Sequence, residues 1–148
     1  MAYTIQPQKC RLVSDGRKIK IARERTDNCD DALAIARAML RGLPHEELLA
    51  ILLDGANRVR SVARVSMGGT AGCACVPADV LRPAIVAGAR AIILAHNHPS
   101  GDASPSSEDV AMTRGIGEAC KIVGLALLDH VIVTDGEAHS SALEGGWL

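Results

Sequence analysis

The sequence predicts an α/β protein built on one central mixed β-sheet flanked by helices. Three observations point there. Apolar residues make up 48% of the 148-residue chain, enough for one domain with a sizeable core. That core has to be aliphatic, because Phe is absent and Tyr3 and Trp147 are the only aromatic residues. Helical periodicity also alternates with short apolar runs, the pattern of strands covered by helices.

The elements follow in order. Residues 1–26 alternate loosely around a turn at Ser14-Asp15-Gly16 and read as a peripheral strand or hairpin. Residues 29–41, "CDDALAIARAMLR", place Leu33, Ala36 and Leu40 at helical spacing. Asp27 or Asn28 can cap that helix and Gly42 stops it. Residues 47–53, Glu47 followed by a continuous apolar run, suit a buried strand. The turn Asp54-Gly55-Ala56-Asn57 returns the chain into a strand carrying Val59, Val62 and Val65, and Gly68-Gly69-Thr70 ends it.

Residues 77–90 read as a helix opened by Pro77, with Pro83 predicting a kink or a late start. "AIILA" at 91–95 is a short buried strand that ends at His96. A helix over 106–123, a buried strand over 125–133 and a last short strand near 138–142 complete the order.

Composition excludes some functions. The formal net charge of −1 gives little long-range pull towards phosphate backbones or acidic membranes. The lack of aromatics argues against a module that stacks exposed bases. The basic cluster Arg17, Lys18, Lys20, Arg23 and Arg25 reads as a solvated face. The five cysteines are odd in number and do not have disulfide-framework or zinc-ribbon spacing; Cys73-Ala74-Cys75 stands alone and reads as core. With no signal peptide and no run long enough to span a membrane, a cytoplasmic protein is expected.

The chemistry concentrates in residues 96–109, "HNHPSGDASPSSED". His96 and His98, two apart at a strand end, can turn their imidazoles to one point. Asp109, near a helix start, can join them. Two imidazoles and a carboxylate leave a fourth position on a tetrahedral Zn²⁺ for water. Taken alone, Ser106-x-x-Asp109 is a helix cap with Asp in place of the usual Glu, and "PSGDASPS" is an ordinary loop. Asn97 reads as a spacer whose side chain turns away. The combination, in this order, is what singles the stretch out.

His96-Asn97-His98-Pro99, then Ser106-x-x-Asp109 after seven residues from Pro99 to Pro105, resembles the H-x-H-x₇-S-x-x-D signature of the JAMM/MPN⁺ metalloproteases. More narrowly, "AIILAHNHPSGDASPSSEDV" and "GLALLDHVIV" are similar to the RadC-like JAB domain of bacteria, from about residue 40 to the C-terminus. The resemblance implies a JAB/MPN fold akin to cytidine deaminase architecture, with residues 29–148 as the domain and residues 1–28 as an N-terminal extension. It implies one Zn²⁺ per chain on His96, His98 and Asp109, with Ser106 as donor to the tetrahedral oxyanion.

The family's upstream glutamate, its general base, falls on Glu46 or Glu47; the pattern E-x-L-x-x-I-x-L-D favours Glu46. Either would otherwise be a solvated acid flanking a strand. His130 is expected to be buried and hydrogen-bonded near the site, with Asp129 as a possible companion. Asp102 reads as a turn former, and His45 and His139 have no partner visible in the sequence.

The implied activity is hydrolysis of a peptide or isopeptide amide. The alternative is an accessory role in nucleic-acid repair, the traditional association of the RadC name. The contiguous string "HNH" does not support it, since HNH nucleases take their name from residues scattered through a ββα finger. The helix-hairpin-helix region of longer RadC proteins has no counterpart in the sequence, so strong DNA binding by this domain alone is not expected. Unpaired strand edges leave a homodimer open.

Overall fold

The structure, a computed structural model, describes residues 12–16, 20–21, 23–67 and 75–148. Most of the N-terminal hairpin, Arg17 and Lys18, Cys10 and Cys73, and the Gly68-Gly69-Thr70 strand end lie outside the described residues. The elements are α1 (Cys29–Leu40), β1 (Glu47–Leu53), β2 (Val59–Met67), α2 (Pro77–Val86), β3 (Ala91–Asn97), α3 (Ser107–Ile122), β4 (Ala126–Val133), β5 (His139–Ser141) and α4 (Ala142–Gly145). The five strands make one sheet in the order β2-β1-β3-β4-β5, in which only β3 and β4 run parallel. This is the mixed α/β architecture expected from the alternation of apolar patterns.

Every residue of β1 and β3 is buried, because helices cover both faces of the sheet. On one face α1 packs Leu33, Ala36 and Leu40 against Leu49, Ile51, Ile93, Ala95, Val131 and Val133. On the other, α2 and α3 bring Val80, Ala84, Ile116 and Cys120 against Leu48, Ala50, Leu52, Ile92 and Leu94. Full burial of each such Leu or Ile contributes about 1.5–3 kcal/mol. Odd-numbered positions of β1 and β3 therefore face α1 and even-numbered ones face α2 and α3. An irregularity between Ile92 and Ile93 in the β3–β4 pairing inserts Leu128. After it, Asp129 and Val131 lie on the α1 face, with His130 and Ile132 on the α3 face.

Local details follow from side-chain chemistry. Asn28 caps α1 by accepting from the Asp31 N–H at 3.0 Å, and Gly42, at φ 77°, ends it. The α2 helix neither starts late nor stops at Pro83; it runs through that residue to Val86 and ends short of the 77–90 span. Its residual cost is one main-chain bond, since Pro83 has no N–H to give the carbonyl four residues back. β3 extends two residues past "AIILA", so His96 lies inside the strand rather than beyond it.

The C-terminal turn α4 was not expected. Ser141 caps it by accepting from the Glu144 N–H at 3.2 Å. Trp147 folds back over it so closely that a Cβ on Gly145 would stand 2.7 Å from the indole. Among the described residues no helix is long and apolar enough to cross a membrane.

Candidate metal centre

The centre forms where the C-terminal end of β3 meets the N-terminus of α3. His96 is the last even-numbered residue of β3, directed to the α3 face, and His98 follows on the same side. Ser106 caps α3: its hydroxyl accepts from the Asp109 N–H at 3.1 Å. The Asp109 carboxylate returns the bond, with Oδ2 accepting from the Ser106 N–H at 2.8 Å and from the Ser106 hydroxyl at 2.7 Å. The cap thereby fixes the carboxylate that completes the group.

His96, His98 and Asp109 bring three potential ligand atoms together. Asp109 Oδ1 lies 3.3 Å from His96 Nε2, and Oδ2 lies 3.5 Å from His98 Nε2. Ligand atoms at about 2.0–2.1 Å from a tetrahedral ion stand about 3.3 Å apart, and each histidine finds one carboxylate oxygen near that spacing, Oδ1 for His96 and Oδ2 for His98. The third edge, 2.8 Å between the two Nε2 atoms, is a hydrogen bond and holds a proton. His96 is 3% exposed, and His98 and Asp109 are partly open, so solvent reaches the group on their side.

Hydrogen bonds behind the centre assign the imidazole tautomers. Thr113 uses its one proton on the Asp109 carbonyl at 2.6 Å. Its oxygen therefore accepts at 2.6 Å from His130, which must carry its hydrogen on Nδ1. His130 is wholly buried, and that burial, then the neighbouring His96, pushes its pKa well below the ordinary value. A neutral His130 has a bare Nε2, which accepts at 2.7 Å from the Nδ1–H of His96. His96 is thus left with an Nε2 lone pair, which accepts the proton held in the 2.8 Å contact with His98 Nε2. His98 is oriented by a shorter route, donating Nδ1–H to the Asp102 carbonyl at 2.7 Å. Both histidines present Nε2 to one point, the arrangement that outer hydrogen bonds impose on metal-binding imidazoles.

Charges respond accordingly. Burial pushes the Asp109 carboxyl up, but the adjoining imidazoles of His96 and His98 outweigh it and hold the group far below the usual carboxylate range. The hydrogen bond to Asp109 raises His98, against a smaller opposing effect of burial, and the charges of Asp109 and Glu46 add to the rise. Once the proton between the two Nε2 atoms is lost, two neutral imidazoles with fixed lone pairs and a carboxylate are a donor set suited to Zn²⁺ with an open fourth position.

The upstream glutamates separate by face. Glu47 is the first residue of β1, an odd-numbered position, and is 2% exposed. Its carboxylate sits 3.0 Å from Arg64 Nη1 and 3.1 Å from His45 Nε2, so His45 does have a partner. Glu46 is half-buried, immediately before the strand, and its charge acts on His98.

Other expected residues resolve differently. Asp129 does not share the centre: its carboxylate serves the Ser141 hydroxyl at 2.8 Å and the Leu143 N–H at 3.0 Å on the other side of the sheet. Asp102 acts through its main-chain carbonyl, while its side chain accepts from the Ser104 N–H as a turn former does. Asn97 is no free spacer; it is 3% exposed and bonded at both ends. Thr113 was missed, although its place four residues after Asp109 on one helix face is a readable signal. The role of the Asp102 carbonyl leaves no trace in residue types.

A UPF0758 protein of Pelobacter propionicus is 44% identical over 109 residues, covering 74% of this chain and 47% of that protein. One of Alcanivorax borkumensis is 41% identical over 119 residues, 80% of this chain and 53% of its own. One of Acidithiobacillus ferrooxidans is 39% identical over 127 residues, 84% of this chain and 57% of its own. The chain spans about half the length of these relatives. Residues 26–147 match the RadC-like JAB domain from end to end of the fold just described, and the chain belongs to that family.

Proposed function

We propose that this domain is a zinc-dependent amide hydrolase of the JAMM type, acting on a peptide or isopeptide bond. The observation that carries the reading is the convergence of His96 Nε2, His98 Nε2 and Asp109, with both tautomers fixed from behind. Zn²⁺ held there supplies Lewis acidity, polarising an amide carbonyl and lowering the pKa of a water. Glu46 takes the water's proton and returns it to the leaving amine. Its partly open position, from which its charge acts on His98, suits that exchange, whereas Glu47 is committed to Arg64 and His45. Ser106 has a hydroxyl at the mouth of the centre that can stabilise the developing oxyanion once it turns from Asp109 Oδ2.

The test combines metal analysis with a peptide-library cleavage screen. The expected result is about one Zn²⁺ per chain and turnover that falls about 10²–10⁴-fold in Glu46→Gln with zinc retained. If the protein purified in zinc binds none, and His96→Ala/His98→Ala is as stable as wild type with and without zinc, the reading fails. Loss of turnover in Glu47→Gln but not in Glu46→Gln would move the base to Glu47.

A further inference from the structure

Asn97 stands between His96 and His98, yet its side chain lies on the opposite face of β3, among the odd-numbered positions. The β1–β3 register pairs Leu48 with His96, which sets Glu47 across from Asn97 at the last rung. There the carboxamide takes over from the main-chain ladder. Oδ1 accepts from the Glu47 N–H at 2.8 Å, and Nδ2 donates to the His45 carbonyl at 3.0 Å. One planar amide thus grips the peptide groups on both sides of residue 46. Among the described residues, no hydrogen bond fixes the Glu46 carboxylate itself. The fixed base of that side chain is the main chain that Asn97 holds.

No other residue type of this size offers both functions. Aspartate keeps the acceptor but sets a second oxygen against the His45 carbonyl. Alanine leaves a buried N–H and a carbonyl without partners. The tripeptide His96-Asn97-His98 thereby does two things at once: its outer residues face the metal centre, and its middle residue anchors the neighbouring strand.

We infer that Asn97 is a positioning residue that aims the Glu46 carboxylate at the metal centre through the main chain of residues 45–47. The inference rests on the proposed role of Glu46, and its test separates the two. The full chain is loaded with Co²⁺ as wild type, Glu46→Gln, Asn97→Ala and the double variant. The pH midpoint of the cobalt visible spectrum and the Co²⁺ affinity are measured for each. A nearby carboxylate disfavours loss of a proton from the centre, so Glu46→Gln should lower the midpoint. Asn97→Ala should lower it by at least half as much, with Co²⁺ affinity within about threefold of wild type. In the Glu46→Gln background Asn97→Ala should add nothing, since nothing remains to aim.

A midpoint that moves in Glu46→Gln but not in Asn97→Ala, or shifts that add in full, overturns the inference and leaves Glu46 standing. A midpoint that does not move in Glu46→Gln overturns the role of Glu46 and the inference with it. Should Asn97→Ala fail to fold, Asn97→Asp keeps the bond to Glu47 and carries the same cycle. Any direct effect of its added charge persists in the Glu46→Gln background, so only the part that vanishes there counts for the inference.

Discussion

His130 Nε2 lies 2.7 Å from His96 Nδ1, inside the sheet and away from all solvent. This bond holds His96 in one defined tautomer, and it depends in turn on Thr113, 2.6 Å from the far nitrogen of His130. Thr113→Val keeps the shape and removes the hydroxyl. It leaves the His130 Nδ1–H buried without an acceptor, at a cost of about 1–3 kcal/mol. Metal affinity should fall about 10–100-fold, as when an outer partner of a ligand is lost. Competition with a chromogenic chelator and a thermal melt measure both; an affinity within threefold of wild type would refute the relay.

Ser106 is already occupied as a cap, which makes Ser106→Ala informative. The change removes the acceptor for the Asp109 N–H and one donor to Asp109 Oδ2. The loss should be about 0.5–2 kcal/mol of stability with zinc stoichiometry intact, read from melts and metal analysis. A fall in turnover of about 10²-fold or more, beyond that modest destabilisation, assigns Ser106 to the oxyanion. Unchanged turnover confines it to capping.

Zinc binding should release a proton, and the sign follows from His98. Its pKa is raised by the Asp109 hydrogen bond, so the metal-free protein holds a proton there that a ligand must lose. That pairing stabilises the metal-free fold below the ordinary histidine pKa of about 6.5 and is lost as pH rises through the raised value. Asp109 stays ionised throughout and releases nothing. Apparent zinc affinity should therefore climb about tenfold per pH unit at and below the raised His98 value, then level off. Calorimetry in two buffers of different ionisation enthalpy counts the protons; none released at pH 6 would contradict the protonated metal-free triad.

Much of this was legible in the chain. The run at residues 47–53 is β1 residue for residue, because a strand buried on both faces shows no alternation and cannot be mistaken for an exposed one. His96, His98 and Asp109 could be read from spacing, since a strand end and a helix start are local features. What was not legible is long-range pairing. Asn97 meets Glu47 and His45 about 50 positions away, and no local pattern announces the match. The inserted Leu128, which keeps Asp129 off the centre while His130 reaches it, is likewise set by the neighbouring strand. The missed α4 differs: Ser141-Ala-Leu-Glu144 is a readable cap signature, hidden because the flanking residues suggested a strand.

Glu47, on the opposite face from His96, has a structural task, and this can be tested apart from any activity. Glu47 is 2% exposed and its carboxylate has Arg64 as its charged partner, with His45 beside it. A buried pair holds little net stability of its own, but removing one partner strands the other. Arg64→Met should therefore cost about 3 kcal/mol or more, because it leaves the Glu47 charge buried. Glu47→Gln should cost less, since Arg64 is 23% exposed and can turn to water. The double variant Glu47→Gln/Arg64→Met should recover much of the loss, as the charge and its missing partner vanish together. Zinc affinity should stay within about threefold of wild type in all three, because the pair lies on the α1 face of the sheet. Denaturant melts give the stabilities and chelator competition the affinities. If Glu47→Gln weakened zinc binding as strongly as a ligand substitution, the two faces would not be independent and the separation of Glu46 from Glu47 would fail.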